Sequence, residues 1–282
     1  MTLPMTATTD TANISEYKAL GVTQCNWQLS KTDIEEPAKA VQNMQSLGLG
    51  VVSLHSPFDG KRTAPMLEYF SLTDFQPRVL YAAEEICTLL GKRLPIVFHS
   101  GLSYYEMPLI PTQTEALGRV MQECPHVDIL IENVGVGYPI SFYPLDIPKM
   151  IPETVRRFNE LLPRPIYSCL DICHTEMVAR IGALLKREGI AVSEEVPTVE
   201  AFFREFSESC HLVHFANTHG YGSKRGEHGV GFTAAEQDKL QAYLDLCHKY
   251  VPQATIVLEI SELDYEHRPN LVDTLHTLKQ CH

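Results

Sequence analysis

Six acidic or imidazole side chains close six successive apolar runs of this 282-residue sequence. His55 closes VVSLH, His99 closes PIVFH, Glu132 closes ILIE, Asp171 closes YSCLD, His214 falls late in HLVHFAN and Glu259 ends TIVLE. Any one of these is most simply a solvated or hydrogen-bonded strand end. Six in order are poorly explained that way, because buried strand ends seldom carry unpaired charge. Imidazole and carboxylate without thiolate suit Zn²⁺, Mn²⁺ or Fe²⁺ and disfavour Ca²⁺, which takes oxygen ligands. The set is larger than one tetrahedral ion can use, and a carboxylate in its middle, Glu132, could bridge two ions as in two-metal hydrolysis.

Further candidates lie beyond the strand ends. His174 follows Asp171 in LDICHTE, at a strand-to-helix turn where a helix-start histidine is the plain alternative. NTHGYGSKRGEHGVGF, a Gly-rich stretch, carries His219, Glu227 and His228, and either histidine could close over a ligand. Tyr104, Tyr105, Tyr138, Phe142 and Tyr143 could line a pocket or simply pack their loops, and Trp27 reads as pocket wall or core. His126, His211, His248, His267, His276 and His282 are assigned to surface or packing roles.

Residues scattered over the chain meet only if the elements bring them together. Eight short β-rich runs begin near residues 3, 21, 50, 94, 127, 165, 211 and 254, with amphipathic segments between them. DIEEPAKAVQNMQSLG, FQPRVLYAAEEICTLLGK, TQTEALGRVMQEC, IPETVRRFNELL, TEMVARIGALLKREG, VEAFFREFSES and TAAEQDKLQAYLDLCHKY read as helices, and TANISEYKAL as a short, weakly patterned first one. Gly48, Gly91 and Gly189 stand where helix stops need positive φ. Strands apolar on both faces and alternating with helices suit a closed parallel barrel, which gathers the C-terminal ends of its strands on one rim. An open doubly wound sheet is the alternative, but no G-x-G-x-x-G follows the first strand. Without a linker or repeat, residues 1–282 read as a single barrel domain. The longer connections, near 56–75, 133–150 and 217–232, would crowd the catalytic face.

Composition narrows the partners. Twenty-three Lys and Arg against thirty-five Asp and Glu give a formal net charge of −12, with no basic run. That disfavours duplex DNA and anionic membrane surfaces, where counterion release needs clustered cations. The eight cysteines form no C-x-x-C pair and read as reduced thiols. With no apolar run of membrane-spanning length and no signal-peptide pattern at the N-terminus, a cytoplasmic location is expected. Oligomeric state has no signature here.

The pieces LHSPF, VFHSG, LIENVG, CLDICH, VHFAN, EHGVG and VLEIS, in order across residues 50–261, resemble the xylose isomerase-like TIM-barrel superfamily, most of all its endonuclease IV branch. The resemblance implies an α/β fold, a (β/α)8 TIM barrel, with a trinuclear site. His55, His99 and Glu132 would hold one ion; Glu132, bridging, with Asp171, His214 and Glu259 a second; His174 and His228 a third. The branch carries an aspartate two residues before that last histidine, where this chain has Gly226, with Glu227 adjacent. Two filled ion sites, of Zn or Mn with Fe as an alternative, and an incomplete third are therefore expected. Sugar isomerases and epimerases of the same superfamily hold one ion on a Glu, Asp, His, Glu set. Glu132, Asp171, His214 and Glu259 match it, the two glutamates exchanging protons beside a carbonyl while His55, His99 and His174 contact substrate.

His55 and His99 are unnecessary for one-metal enolisation. The expected activity is therefore hydrolysis of a phosphoester in a small phosphorylated or sugar-like molecule by a metal-bound hydroxide, with Glu132, Glu259, His174 and His228 as catalytic residues. The alternatives are a sugar or sugar-phosphate isomerase or epimerase working through the glutamate pair, and a metal-binding protein without catalysis.

Overall fold

A computed structural model describes residues 3–57, 69–70, 77–100, 111–134, 147–189, 196–220 and 227–281. Eight parallel strands form the barrel: β1 Met5–Ala7, β2 Gln24–Gln28, β3 Gly50–His55, β4 Leu94–Ser100, β5 Val127–Glu132, β6 Tyr167–Asp171, β7 Cys210–Phe215 and β8 Thr255–Leu258. Each pairs with the next, and β1 pairs with β8 at Met5 and Leu258, so the sheet closes on itself. The eight expected runs are the eight strands, with ends moved by a few residues. The fold is a (β/α)8 barrel, not an open sheet.

The helices that cover it are α1 Ile14–Ala19, α2 Lys31–Glu35, α3 Pro37–Leu47, α4 Pro77–Leu90, α5 Pro111–Glu123, α6 Ile147–Asn159, α7 Ile172–Arg187, α8 Val199–Phe206, α9 Gln237–Tyr250 and α10 Pro269–Leu278. The single helix expected over DIEEPAKAVQNMQSLG is two. Pro37 has no N–H to donate, so it starts a new helix as a first-turn residue, while Ser30 and Asp33 form a capping box on α2. Gly48, Gly91 and Gly189 take φ of 64°, 66° and 70°, as a left-handed helix stop requires. α10 was not anticipated, although Pro269 opens it and Leu271, Leu275 and Leu278 recur on its buried side.

Two apolar layers result from the period-two alternation of the strands. Val97, Leu130, Cys169, Leu212 and Val257 fill the barrel interior as a separate cluster, joined by Val52 and Tyr167. Their outward neighbours, including Phe98, Ile131, Leu170, Val213 and Leu258, pack in the larger core beneath the helices. Trp27 is fully buried in that outer core, so it is core and not pocket wall. All eight cysteines are free, seven of them buried. Among the described residues no helix is long and apolar enough to cross a membrane.

Candidate metal centre

The alternation that fills the barrel also builds the site. Two residues beyond each interior apolar residue comes the next inward position. Beyond Val97, Leu130, Cys169, Leu212 and Val257, these positions are His99, Glu132, Asp171, His214 and Glu259. His55 occupies the same layer on β3, two residues past the buried Ser53. The ladder sets His99 directly beside Glu132 and Asp171 directly beside His214. An apolar plug therefore carries a ring of imidazoles and carboxylates on its C-terminal side.

Glu132 is the hub. It is fully buried, with its Oε2 3.3 Å from His55 Nε2, 3.2 Å from His214 Nδ1 and 3.8 Å from His99 Nε2, and its Oε1 3.5 Å from His174 Nδ1. His214 Nδ1 is also 2.8 Å from Glu259 Oε2. Despite these approaches, neither ring nitrogen of His214 nor Glu132 Oε1 has a hydrogen bond of acceptable direction. Buried polar atoms without partners are costly. Atoms that converge on a common point without pairing are what a coordinated cation requires.

Two sets of candidate ligand atoms lie within 4.8 Å of one another: His55, Glu132 and His214, and Glu132, Asp171, His214 and Glu259. They share Glu132 and His214. The donor types and convergence fit a divalent transition ion. His99 belongs to neither set; its ring meets that of His55 edge-on at 5.1 Å. His174 and His228 stack at 4.9 Å, and among the described residues they enter no set of three.

The second layer of contacts holds these ligands in place. Asp171 is the N-cap of α7, its Oδ1 accepting from the His174 amide at 2.6 Å, so the cap at this turn is the aspartate and His174 is left free to face the cluster. Asn133, unremarked in the sequence beyond the run LIENVG, ties three elements together. Its Oδ1 accepts from Asp171 N at 2.8 Å, its Nδ2 donates to Asp171 O at 3.1 Å and to Thr175 Oγ1 at 3.3 Å, and its carbonyl lies 2.8 Å from His174 Nδ1. A carbonyl at that nitrogen fixes the ring, the usual arrangement behind a metal-bound histidine. The hint was positional: an amide directly after a strand-end carboxylate.

Charge is distributed unevenly over the cluster's own side chains. Burial pushes Asp171 up to about 7, whereas His214 outweighs burial at Glu259 and holds that carboxyl down at about 2. Burial lowers His99 to about 4, and burial with the neighbouring His174 does the same to His228. At His174 burial acts downward but Asp171 and Glu132 prevail, raising the imidazole to about 9. His99 and His228 therefore stand as neutral donors at neutral pH, while His174 must release a proton to coordinate.

A cavity of about 560 Å³ opens over the cluster, lined by His55, His99, Asp171, His174, His228 and Glu259 on one side and by Gln28, the residues after β1 and the β8–α10 connection on the other. His228 reaches it from a short antiparallel hairpin, Asn217–Thr218 with His228–Val230, whose Gly229 amide donates to Cys173 Sγ at 3.2 Å. The loop's other two candidates face elsewhere. His219 Nε2 is 3.0 Å from Glu236 Oε1, and the Glu227 side chain lies over Gly220. Gly226 and the ring residues Tyr104, Tyr105, Tyr138, Phe142 and Tyr143 lie outside the described residues. Of the histidines assigned to surface or packing, His126 pairs with Glu84 and His211 stacks on Tyr167; His248, His267 and His276 are exposed, and His282 lies outside the described residues.

Solved structures share this architecture. A provisionally assigned xylose isomerase from Rhodospirillum rubrum superposes with a TM-score of 0.66 at 14% identity over 100% of this chain and 99% of its own. Endonuclease IV from Thermus thermophilus gives 0.53 at 19% identity over 99% of each chain. D-allulose 3-epimerase from Methylomonas sp. gives 0.52 at 12% identity, over 99% of this chain and 97% of its own. No protein-family model matches the chain, and no curated protein does. The fold is thus that of the xylose isomerase-like and endonuclease IV barrels, as the ordered motifs led one to expect.

Proposed function

We propose that this chain is a divalent-metal-dependent TIM-barrel enzyme, one barrel domain that hydrolyses a phosphoester of a small phosphorylated or sugar-like molecule. The observation that carries this reading is the hub position of Glu132, whose one carboxylate belongs to both candidate ligand sets. A carboxylate shared between two sets is the arrangement that lets two ions flank a phosphoryl group. When bound, such ions would supply an activated water and offset charge developing on the phosphoryl oxygens.

The protein's own groups have distinct tasks. His55, Glu132, Asp171, His214 and Glu259 would hold Zn or Mn, with Fe as the alternative. Asn133 keeps Asp171 and His174 aimed. His228, neutral and lining the cavity, can accept a hydrogen bond from the attacking water or a substrate hydroxyl. In net terms a water oxygen forms a bond to phosphorus, the ester P–O bond breaks, and the water proton ends on the leaving oxygen. The net charge of −12 supports a small substrate over duplex DNA.

One observation favours a second reading. Glu132, Asp171, His214 and Glu259 form a complete four-residue set by themselves, enough for one ion and a glutamate pair exchanging protons beside a carbonyl. Elemental analysis of protein purified without chelator, followed by turnover assays on aryl phosphate esters and on ketoses, separates the two. Two ions per chain with phosphate release supports the hydrolase. One ion, with His55 and His99 unliganded in excess zinc or manganese, supports the isomerase.

A further inference from the structure

The cavity over the metal cluster is also lined by a buried cation that forms no ion pair among the described residues. Arg268 lines the cavity and is 7% exposed. Its Nη1 donates to Thr6 O at 3.1 Å and its Nη2 reaches Thr11 Oγ1 at 3.4 Å, while its buried Nε has no acceptor. Among the described residues no carboxylate oxygen lies within 4.0 Å of the guanidinium. Glu262 is near enough for its charge to act on the guanidinium, but its oxygens accept from the Asn270 and Leu271 amides at 3.2 and 2.7 Å and form no ion pair with it. A guanidinium carries five N–H donors and stays charged in proteins. The two used here leave three unanswered in a buried setting, the kind of deficit that a bound anion repairs.

Its placement argues for the substrate as that anion. Thr6 is one residue past the Met5–Leu258 pairing of β1 with β8, which brings the Arg268 guanidinium level with Glu259 on the rim. The guanidinium lies over two rings, its carbon 5.8 Å from the Tyr17 centroid and 5.6 Å from that of Tyr265. Cation–π contact of this kind holds the guanidinium without consuming its N–H groups. Arg268 also takes a left-handed backbone conformation, φ 44°, uncommon for a side chain other than glycine or asparagine.

We infer that Arg268 is a specificity-determining residue that binds an oxyanion, phosphate or carboxylate, on a part of a small substrate separate from the group that meets the metal cluster. This rests on the enzyme reading above only for the statement that the reacting end of the substrate meets the cluster. It narrows the substrate to a molecule with two polar ends, a reacting group and a separate anion. Neutral sugars would lack the second.

The test uses full-length protein reconstituted with zinc and reads binding, not turnover, so a failure of the hydrolase assignment leaves it untouched. Inorganic phosphate and acetate are titrated by calorimetry and by the ¹H–¹⁵N resonance of the Arg268 Nε–H, assigned by its absence in Arg268→Lys. The expected result is a saturable shift of that resonance by one or both anions, a Kd weakened roughly tenfold or more in Arg268→Gln, and a smaller loss in Arg268→Lys. The anion saturating at the lower concentration names the substrate's group. If Arg268→Gln does not fold, the resonance of the unaltered protein decides alone. An unmoved Nε–H at saturating phosphate and acetate would make Arg268 a structural tie and overturn the inference, as would affinities within twofold between wild type and Arg268→Gln.

Discussion

The two ends of the barrel treat charge in opposite ways. At the N-terminal end, Arg93 forms a two-pronged pair with Asp128, and Glu84 accepts from the His126 amide at 2.9 Å and meets its ring Nδ1 at 2.6 Å. Arg164 Nη2 donates to the carbonyls of Met121 and Cys124 at 2.6 and 2.8 Å. These contacts are directed and the groups partly exposed, with Arg164 Nε the one buried atom among them that lacks a partner. At the C-terminal end five imidazoles and three carboxylates are brought together, and Glu132 Oε1 and both ring nitrogens of His214 lack a directed hydrogen bond. Pairing serves stability at one end, and convergence without pairing is left for a ligand at the other, in keeping with the division of labour in barrels of this kind.

The sharpest way to break this contrast is Glu132→Gln. If the C-terminal cluster exists to hold ions, an amide with one neutral acceptor cannot serve two sets. Activity should fall by ~100-fold or more and metal content by more than one ion per chain. Loss of one ion or fewer, measured by elemental analysis, would remove the bridging role.

The next effect appears when the ions are removed. His174 is raised to about 9 against an ordinary 6.5, so the folded metal-free protein holds that proton more tightly than the unfolded chain does. Stability from it is complete below about pH 6.5 and is lost as pH rises through about 9. The corresponding contribution of Asp171, raised to about 7, is already spent above that pH. Chelated protein should therefore lose several degrees of Tm between pH 7 and 9, an effect of order 1–3 kcal/mol. Metal-loaded protein should be flatter, because cations held by Asp171 and Glu132 would cancel the negative charge that raises His174. Equal slopes with and without metal, by scanning calorimetry, would mean that the cluster is self-sufficient.

How far the sequence reveals this contrast depends on the period of each element. The strand-end residues were legible because a two-residue alternation places them above an apolar residue facing the same way, as Leu130 and Glu132 show. Helix positions were legible from amphipathic spacing, but Pro37 splits a continuous pattern and α10 follows an irregular connection. Arg268 carries no signal of its own: it sits at a helix start, outside every strand, and its lack of an ion pair exists only in three dimensions. Glu132 is legible as the shared carboxylate from its place in the middle of the series, whereas the membership of His214 in both sets is a matter of distance. The N-terminal pairs were equally hidden, because Arg93 and Asp128 are 35 residues apart.

A smaller effect sharpens the division within the cluster itself. His174 and His228 stack without entering a candidate ligand set. His228→Gln should thus leave metal content unchanged and lower kcat/KM about tenfold, the loss of one hydrogen bond to substrate or water. A coincident loss of one ion would instead give the His174–His228 position a filled third site.

The smallest expected effect lies at the N-terminal end. Asp128→Asn removes the charge that faces Arg93, whose side chain is 50% exposed against 22% for the aspartate. Water can solvate the guanidinium once the partner is gone, and the amide still accepts one of its hydrogen bonds, so the cost should be no more than ~1 kcal/mol. Asp128 is the second residue of the strand that ends in Glu132, so the substitution also asks whether charge at one end of β5 is felt at the other. Ile129, Leu130 and Ile131 separate them, and Leu130 belongs to the apolar plug that shields the cluster from the N-terminal opening. Metal content and kcat should therefore not change, while the urea midpoint falls slightly at constant m. A change in bound metal would show that the two ends are coupled through the strand, and that the plug is a weaker insulator than its packing implies.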